Sequence, residues 1–139
     1  MLRVVLDVNV FVSALLRRDS TPARVLRAWE DGVYELIASP GLLDELERVL
    51  RRPHIARNIA PHTVGDLVTA IRQNAVLEDD QPSERYVPGD PDDDYLVSLA
   101  LTAGADAIVS GDAALLALDL ERPRTLTPRA FLTAIEQIE

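Results

Sequence analysis

The sequence predicts an α/β fold with a mainly parallel central sheet and helices on both faces. Short apolar, β-branched runs alternate with longer amphipathic segments from one end of the chain to the other. The first run, "LRVVL" at 2–6, lacks the polar alternation of a half-exposed strand and reads as one buried on both faces. Proline follows Ser or Thr at 21–22, 39–40 and 127–128, the signature of helix openings between strands.

The first strand ends at Asp7, and residues 8–17 read as a helix. Thr21 as N-cap with Pro22 in the first turn opens a second helix across "ARVLRAWEDG", which Gly32 stops. "YELIAS" at 34–39 is a second strand, and Ser39 with Pro40 opens a third helix, "GLLDELERVLRR". Leucines 42, 43, 46 and 50 form its apolar stripe, and Pro53 ends it. A helix over about 61–73 and a strand at 75–78 follow. Residues 79–92, "DDQPSERYVPGDPD", make the only long loop, and long loops in compact domains are often functional. Beyond it come the helix "DYLVSLALTAG" closed by Gly104, the strand "AIVS" at 107–110, a short helix from Asp112, a weak strand at 124–126, and a last helix opened by Thr127 and Pro128. No repeat or linker interrupts the 139 residues, so one domain over 1–139 is expected.

Composition excludes several chemistries. With no cysteine, neither disulfides nor thiolate metal sites are available, and an intracellular, cytoplasmic setting is expected. Asp7 and Asn9 break the apolar start of the chain, which argues against a signal peptide, and no apolar run approaches a membrane span. The net charge is −9, but residues 1–60 carry nine Arg against eight acids, while residues 61–139 carry five Arg against fifteen. The acid excess is therefore local. No basic residue is lysine, which removes Schiff-base chemistry and a P-loop.

The acids fall where an open parallel sheet binds ligands, outside the carboxyl ends of its strands. Asp7 follows the first strand, Asp112 follows the strand at 107–110 by two residues, and Asp90, Asp92, Asp93 and Asp94 lead into the helix that feeds that strand. Glu45 on the third helix joins them if that helix crosses the rim of the crevice. Converging carboxylates favour a hard divalent cation, Mg²⁺ or Mn²⁺. His54 and His62 lie away from the acids, so zinc does not fit. A metal so held activates water and stabilises charge on a phosphodiester, which points to phosphoryl hydrolysis and lets an acidic protein approach a polyanion.

Each acid has a simpler reading. Asp7, Asp112 and one of Asp92 to Asp94 could cap helices, and Glu45 could pair with Arg48 one turn on. Capping, however, does not require four acids within five residues. Asn9 could fix the Asp7 carboxylate or end a turn, and Ser110 could support the crevice or bond the backbone. Trp29, Tyr34 and Phe11 read as core. The arginines of the early helices, Arg17, Arg18, Arg51 and Arg52 among them, are either a solvated face or a grip on RNA phosphates.

Three stretches, "LDVNVFVSAL", "SPGLLDELERVLRRP" and "DPDDDYLVSLALTAGADAIVSGDAALL", together resemble the PIN-domain ribonucleases, in particular the small single-domain VapC-like group that serves as toxins of toxin–antitoxin pairs. The resemblance covers nearly the whole chain and is most specific in the last stretch. It implies a Rossmann-like sheet, an acidic site for Mg²⁺ or Mn²⁺ and single-stranded endoribonuclease activity. Homodimers and a small antitoxin partner are also implied. Residue by residue, Asp7 matches the first acid, Glu45 the second, Asp93 the third and Asp112 the fourth, with Asp7, Asp93 and Asp112 as metal ligands. Asp93 stands the required seven residues before a small residue, Ala100; Asp94 is one residue off. Asn9 and Ser110 match the family's supporting polar positions, with Asp94 and Asp90 as further supporting acids.

Two rivals remain at the level of sequence. Receiver domains and phosphatases that phosphorylate an Asp after the first strand depend on a lysine that this chain lacks, and the haloacid-type motif wants Asp where Asn9 stands. A catalytically silent PIN-like module that binds protein or RNA is the other, and it gives no reason to keep clustered, repelling carboxylates.

Overall fold

The computed structural model describes residues 1–81, 86–87 and 93–137. Five strands, β1 (Arg3–Leu6), β2 (Glu35–Ala38), β3 (Val76–Leu77), β4 (Ala107–Val109) and β5 (Arg124–Leu126), form one sheet in the order β3-β2-β1-β4-β5. Every pairing is parallel. The expectation of a mainly parallel sheet is thus met in its strictest form.

Val4, Val5 and Leu6 of β1 are all fully buried. Successive strand side chains point to opposite faces, so both faces of the sheet are covered, as the apolar run requires. The covering helices are α1 (Val8–Leu16), α2 (Thr21–Glu30), α3 (Pro40–Leu50), α4 (Pro53–Ala56), α5 (Pro61–Asn74), α6 (Asp94–Thr102), α7 (Ala113–Leu116) and α8 (Pro128–Glu136). The stripe Leu42, Leu43, Leu46 and Leu50 carries α3 into the core, where Phe11 and Tyr34 are also buried. The Tyr34 ring meets Phe131 of α8 edge-on at 5.0 Å, and its hydroxyl donates to the Val25 carbonyl at 2.8 Å.

Helix ends follow local chemistry. Ser39 and Thr127 cap α3 and α8 through their hydroxyls, and a proline enters the first turn of each. At the ends of α2 and α6 the chain turns through Gly32 (φ 79°) and Gly104 (φ 64°), a left-handed backbone in which a Cβ would be strained. Val33 N–H then bonds Ala28 O, and Ala105 N–H bonds Ala100 O, closing both ends.

Two boundaries differ from expectation. The N-cap of α2 is Ser20, whose hydroxyl accepts from Ala23 N–H; Thr21 is already helical. Ser20 wins because it stands three residues before the amide it must reach. Pro53 does not end α3, which stops at Leu50. It opens α4 instead, with Arg52 in the extended conformation favoured before proline. Among the described residues no helix is long and apolar enough to cross a membrane.

Candidate active site

In the order β3-β2-β1-β4-β5 the chain runs outward from β1 in one direction through β2 and β3, and in the other through β4 and β5. The switch point therefore lies between β1 and β4, and a crevice outside their carboxyl ends is where such a sheet takes its ligand. Asp7 and Ser110 stand there, each directly after its strand. Asp7 N–H extends the β1–β4 ladder by bonding Val109 O at 2.9 Å, which fixes the carboxylate at the crevice.

Asp7 is 5% exposed and Ser110 fully buried. The Ser110 hydroxyl donates to Asp7 Oδ2 at 2.7 Å and accepts Asp112 N–H at 2.9 Å. A single hydroxyl thus ties the first acid to the backbone of the last. Asp7 Oδ1 accepts the N–H of Asn9 at 3.3 Å, so it is the backbone of Asn9 that steadies Asp7 and caps α1, while the Asn9 side chain is exposed. Asp112 caps α7, its Oδ1 accepting from Ala114 N–H at 2.8 Å. The capping reading of Asp7 and Asp112 is correct, and it coexists with their place at the crevice.

Asp93 and Asp94 divide their labour. Asp94 is buried, and its Oδ1 accepts the N–H groups of Tyr86 at 3.0 Å and Val87 at 2.8 Å, holding the chain that enters α6. Asp93 occupies the N-cap position of α6 without a side-chain capping bond, and its Oδ2 is sealed from solvent. Asp90 and Asp92 lie outside the described residues, as does most of the loop at 79–92.

Tyr95, next to this pair, gathers the site. Its hydroxyl is held protonated well above the ordinary phenol range, first by burial and then by the charges of Glu45, Asp7, Asp93 and Asp80. The charges of acids just after β1, on α3, at the N-cap of α6 and beyond β3 thus all act on this one phenol. Glu45 also forms the ion pair with Arg48 that its spacing allowed. Asp80 reaches back to α3, its Oδ2 accepting Gly41 N–H at 2.7 Å. A Cβ on Gly41 would stand 2.8 Å from Asp80 Oδ1, so the glycine is what lets the carboxylate dock.

Tyr95 and Asp80 are the site residues that sequence reasoning missed. Tyr95 carried a faint signal, directly following the acid run. Asp80 carried none, because its place depends on a contact with Gly41, 39 residues away.

The four arginines lie further off. Arg17 and Arg18 follow the C-terminus of α1, roughly 13 Å of helix from Asp7 at its start. Arg51 and Arg52 follow the end of α3, both exposed, with Arg51 paired to Glu47 at 3.5 Å. Among the described residues no three His, Asp or Glu side chains stand close enough to hold a metal ion as they are placed. The donor set still suits a hard cation, consisting of buried or half-buried carboxylate oxygens with no thiolate and no imidazole among them.

Parallel order and acids at the switch point define the class, an α/β domain with an acidic crevice. The PIN domain family model matches residues 3–114, and the chain belongs to that family. PIN domains are generally nucleases and typically use divalent metals. The structure of the PIN domain of human SMG5 is similar at 14% sequence identity over 99% of each chain, with a TM-score of 0.49. No curated protein matches the chain.

Proposed function

We propose that the protein is a divalent-metal-dependent endoribonuclease acting on single-stranded RNA, and that it serves as the toxin of a toxin–antitoxin pair. The observation that carries the nuclease reading is the buried Asp7 at the switch point, bonded by the Ser110 hydroxyl that also accepts the Asp112 N–H. Asp7, Asp93 and Asp112 would hold Mg²⁺ or Mn²⁺, with Glu45 beside them. The bound metal supplies an activated water and neutralises charge on the phosphodiester. The chain's own residues supply the frame. Ser110 fixes Asp7 and the Asp112 backbone in one register, and Asp94 holds the loop so that Asp93 keeps its place. Arg17, Arg18, Arg51 and Arg52 would meet RNA phosphates away from the cut. The toxin role, a small antitoxin partner, a homodimer and a cytoplasmic location rest on the resemblance of the sequence motifs.

The catalytically silent module stays in view because no three acids among the described residues are already gathered for a metal. Cleavage of a mixed-sequence single-stranded RNA by the Asp93→Asn and Asp94→Asn variants tests the assignment. The proposal expects Asp93→Asn to lose cutting by at least about a hundredfold with its melting temperature kept. Asp94→Asn should instead lose stability first. Full activity in Asp93→Asn would overturn the assignment.

A further inference from the structure

A cavity of about 530 Å³ opens between α3, α5 and the segment carrying α4 that joins them, and none of the acids assigned to the crevice lines it. Its α5 residues fall in two rows at four-residue steps, Pro61, Gly65 and Thr69 beside Val64, Val68 and Arg72. One face of α5 is therefore a continuous wall. A volume of this size is that of a small-molecule site.

The floor is apolar and the mouth is charged. Leu50, Ile59 and Val68 are buried and Val64 is half-buried. Among the described residues that line the cavity, only Thr69 is polar without a charge. A ligand body rich in hydrogen-bonding groups would leave them without partners on this floor, whereas an apolar body loses nothing there. At the mouth one carboxylate holds two guanidiniums: Glu47 Oε2 pairs with Arg51 at 3.5 Å and Glu47 Oε1 with Arg72 at 3.8 Å. Both arginines are exposed. Two positive charges against one negative leave an excess of one. Each guanidinium also has five N–H donors, more than a shared carboxylate can take. A second carboxylate complements this mouth in charge and in planar geometry.

Gly65 adds an independent observation. Glycine weakens a helix interior, and no packing neighbour requires it here, because a Cβ would meet nothing within 4 Å. What its missing side chain does is leave the cavity wall open.

We infer that this cavity binds an amphipathic monocarboxylate of the medium-chain fatty-acid kind. Its chain lies on Leu50, Ile59, Val64 and Val68, and its head group lies between Arg51 and Arg72. The inference stands apart from the nuclease reading. Arg51 is also among the arginines proposed to meet RNA phosphates, so Arg72 is the cleaner position for substitution.

The test measures binding of octanoate, octanol and adenosine monophosphate by calorimetry on the whole protein in chelator. Octanol keeps the chain and lacks the charge. Octanoate is expected to bind about tenfold more tightly than octanol, the worth of hydrogen bonds to a charged group. Arg72→Gln should bring octanoate down toward octanol and leave octanol unchanged. Gly65→Met, which puts a side chain into the cavity and strengthens the helix, should abolish binding of both with the melting temperature kept or raised. Equal binding of octanoate and octanol by the wild type, binding of neither, or undiminished octanoate binding in either variant overturns the site. Tighter binding of adenosine monophosphate than of octanoate also overturns it and gives the cavity to nucleotides. Arg72 is exposed, so its variant keeps the test decisive if Gly65→Met fails to fold.

Discussion

Ser110 shows how much one hydroxyl can organise. Buried between Asp7 and the Asp112 amide, it is both donor and acceptor, so removing it takes one hydrogen bond from each of two polar groups at once. Ser110→Ala is expected to cost about 1–3 kcal/mol in chemical denaturation, the penalty of a buried carboxylate losing a donor. It should also reduce RNA cleavage, because Asp7 is no longer fixed. Asp7→Asn should behave differently in stability. It removes a charge from a site where carboxylates repel but also turns one of two accepting oxygens into a donor, so the two effects on stability oppose and the fold should be kept while cutting is lost. Tyr34 gives a prediction in pH. Burial, and next the charge of Glu30, raise its pKa above the ordinary value of 10.0. The folded state then holds a proton that the unfolded state releases, so the stability it contributes is intact below pH 10 and is lost as pH rises beyond it. Tyr34→Phe should lose about 1 kcal/mol at neutral pH with the Val25 hydrogen bond, and should show a shallower decline between pH 9 and 11 in pH-dependent thermal melts.

At the scale of elements, Gly65 stands within α5, and a Cβ added there would meet nothing within 4 Å. Gly65→Ala is expected to stabilise the fold by about 0.5–1 kcal/mol, the difference in helix propensity, read as a higher denaturation midpoint. A loss of stability would mean that α5 packs differently there. Elements were also the most legible level of the sequence. All five strands were anticipated, four because each is a short apolar run bounded by a turn or by a proline-opened helix, and β5 (Arg-Thr-Leu) only weakly, from its place before the helix that Thr127 and Pro128 open. Helix α4 was missed because a proline after two arginines reads as a stop, whereas the extended Arg52 makes Pro53 a start. At the crevice, Asp7 and Ser110 were legible because strand ends point there. Spacing to Ala100 favoured Asp93 over Asp94, but the task of Asp94 was not legible, since it depends on which carboxylate turns back to the amides of Tyr86 and Val87. Asp80 was illegible for the same kind of reason, its role being a tertiary contact within a loop that reads as solvated acids.

At the scale of the whole molecule, the proposed nuclease reading asks a chain of net charge −9 to meet a polyanion. Its field alone repels RNA, and the arginines lie toward the far ends of α1 and α3. The account therefore requires a divalent cation among the carboxylates, which inverts the charge where the strand must approach. The most direct measurement is cleavage of a mixed-sequence single-stranded RNA by purified protein with Mn²⁺ or Mg²⁺, beside a chelator control and Asp7→Asn. The account predicts cutting with metal, none with chelator, and a loss of at least about a hundredfold in a variant that remains folded. Cutting that survives the chelator, or an Asp7→Asn variant as active as the wild type, would contradict it.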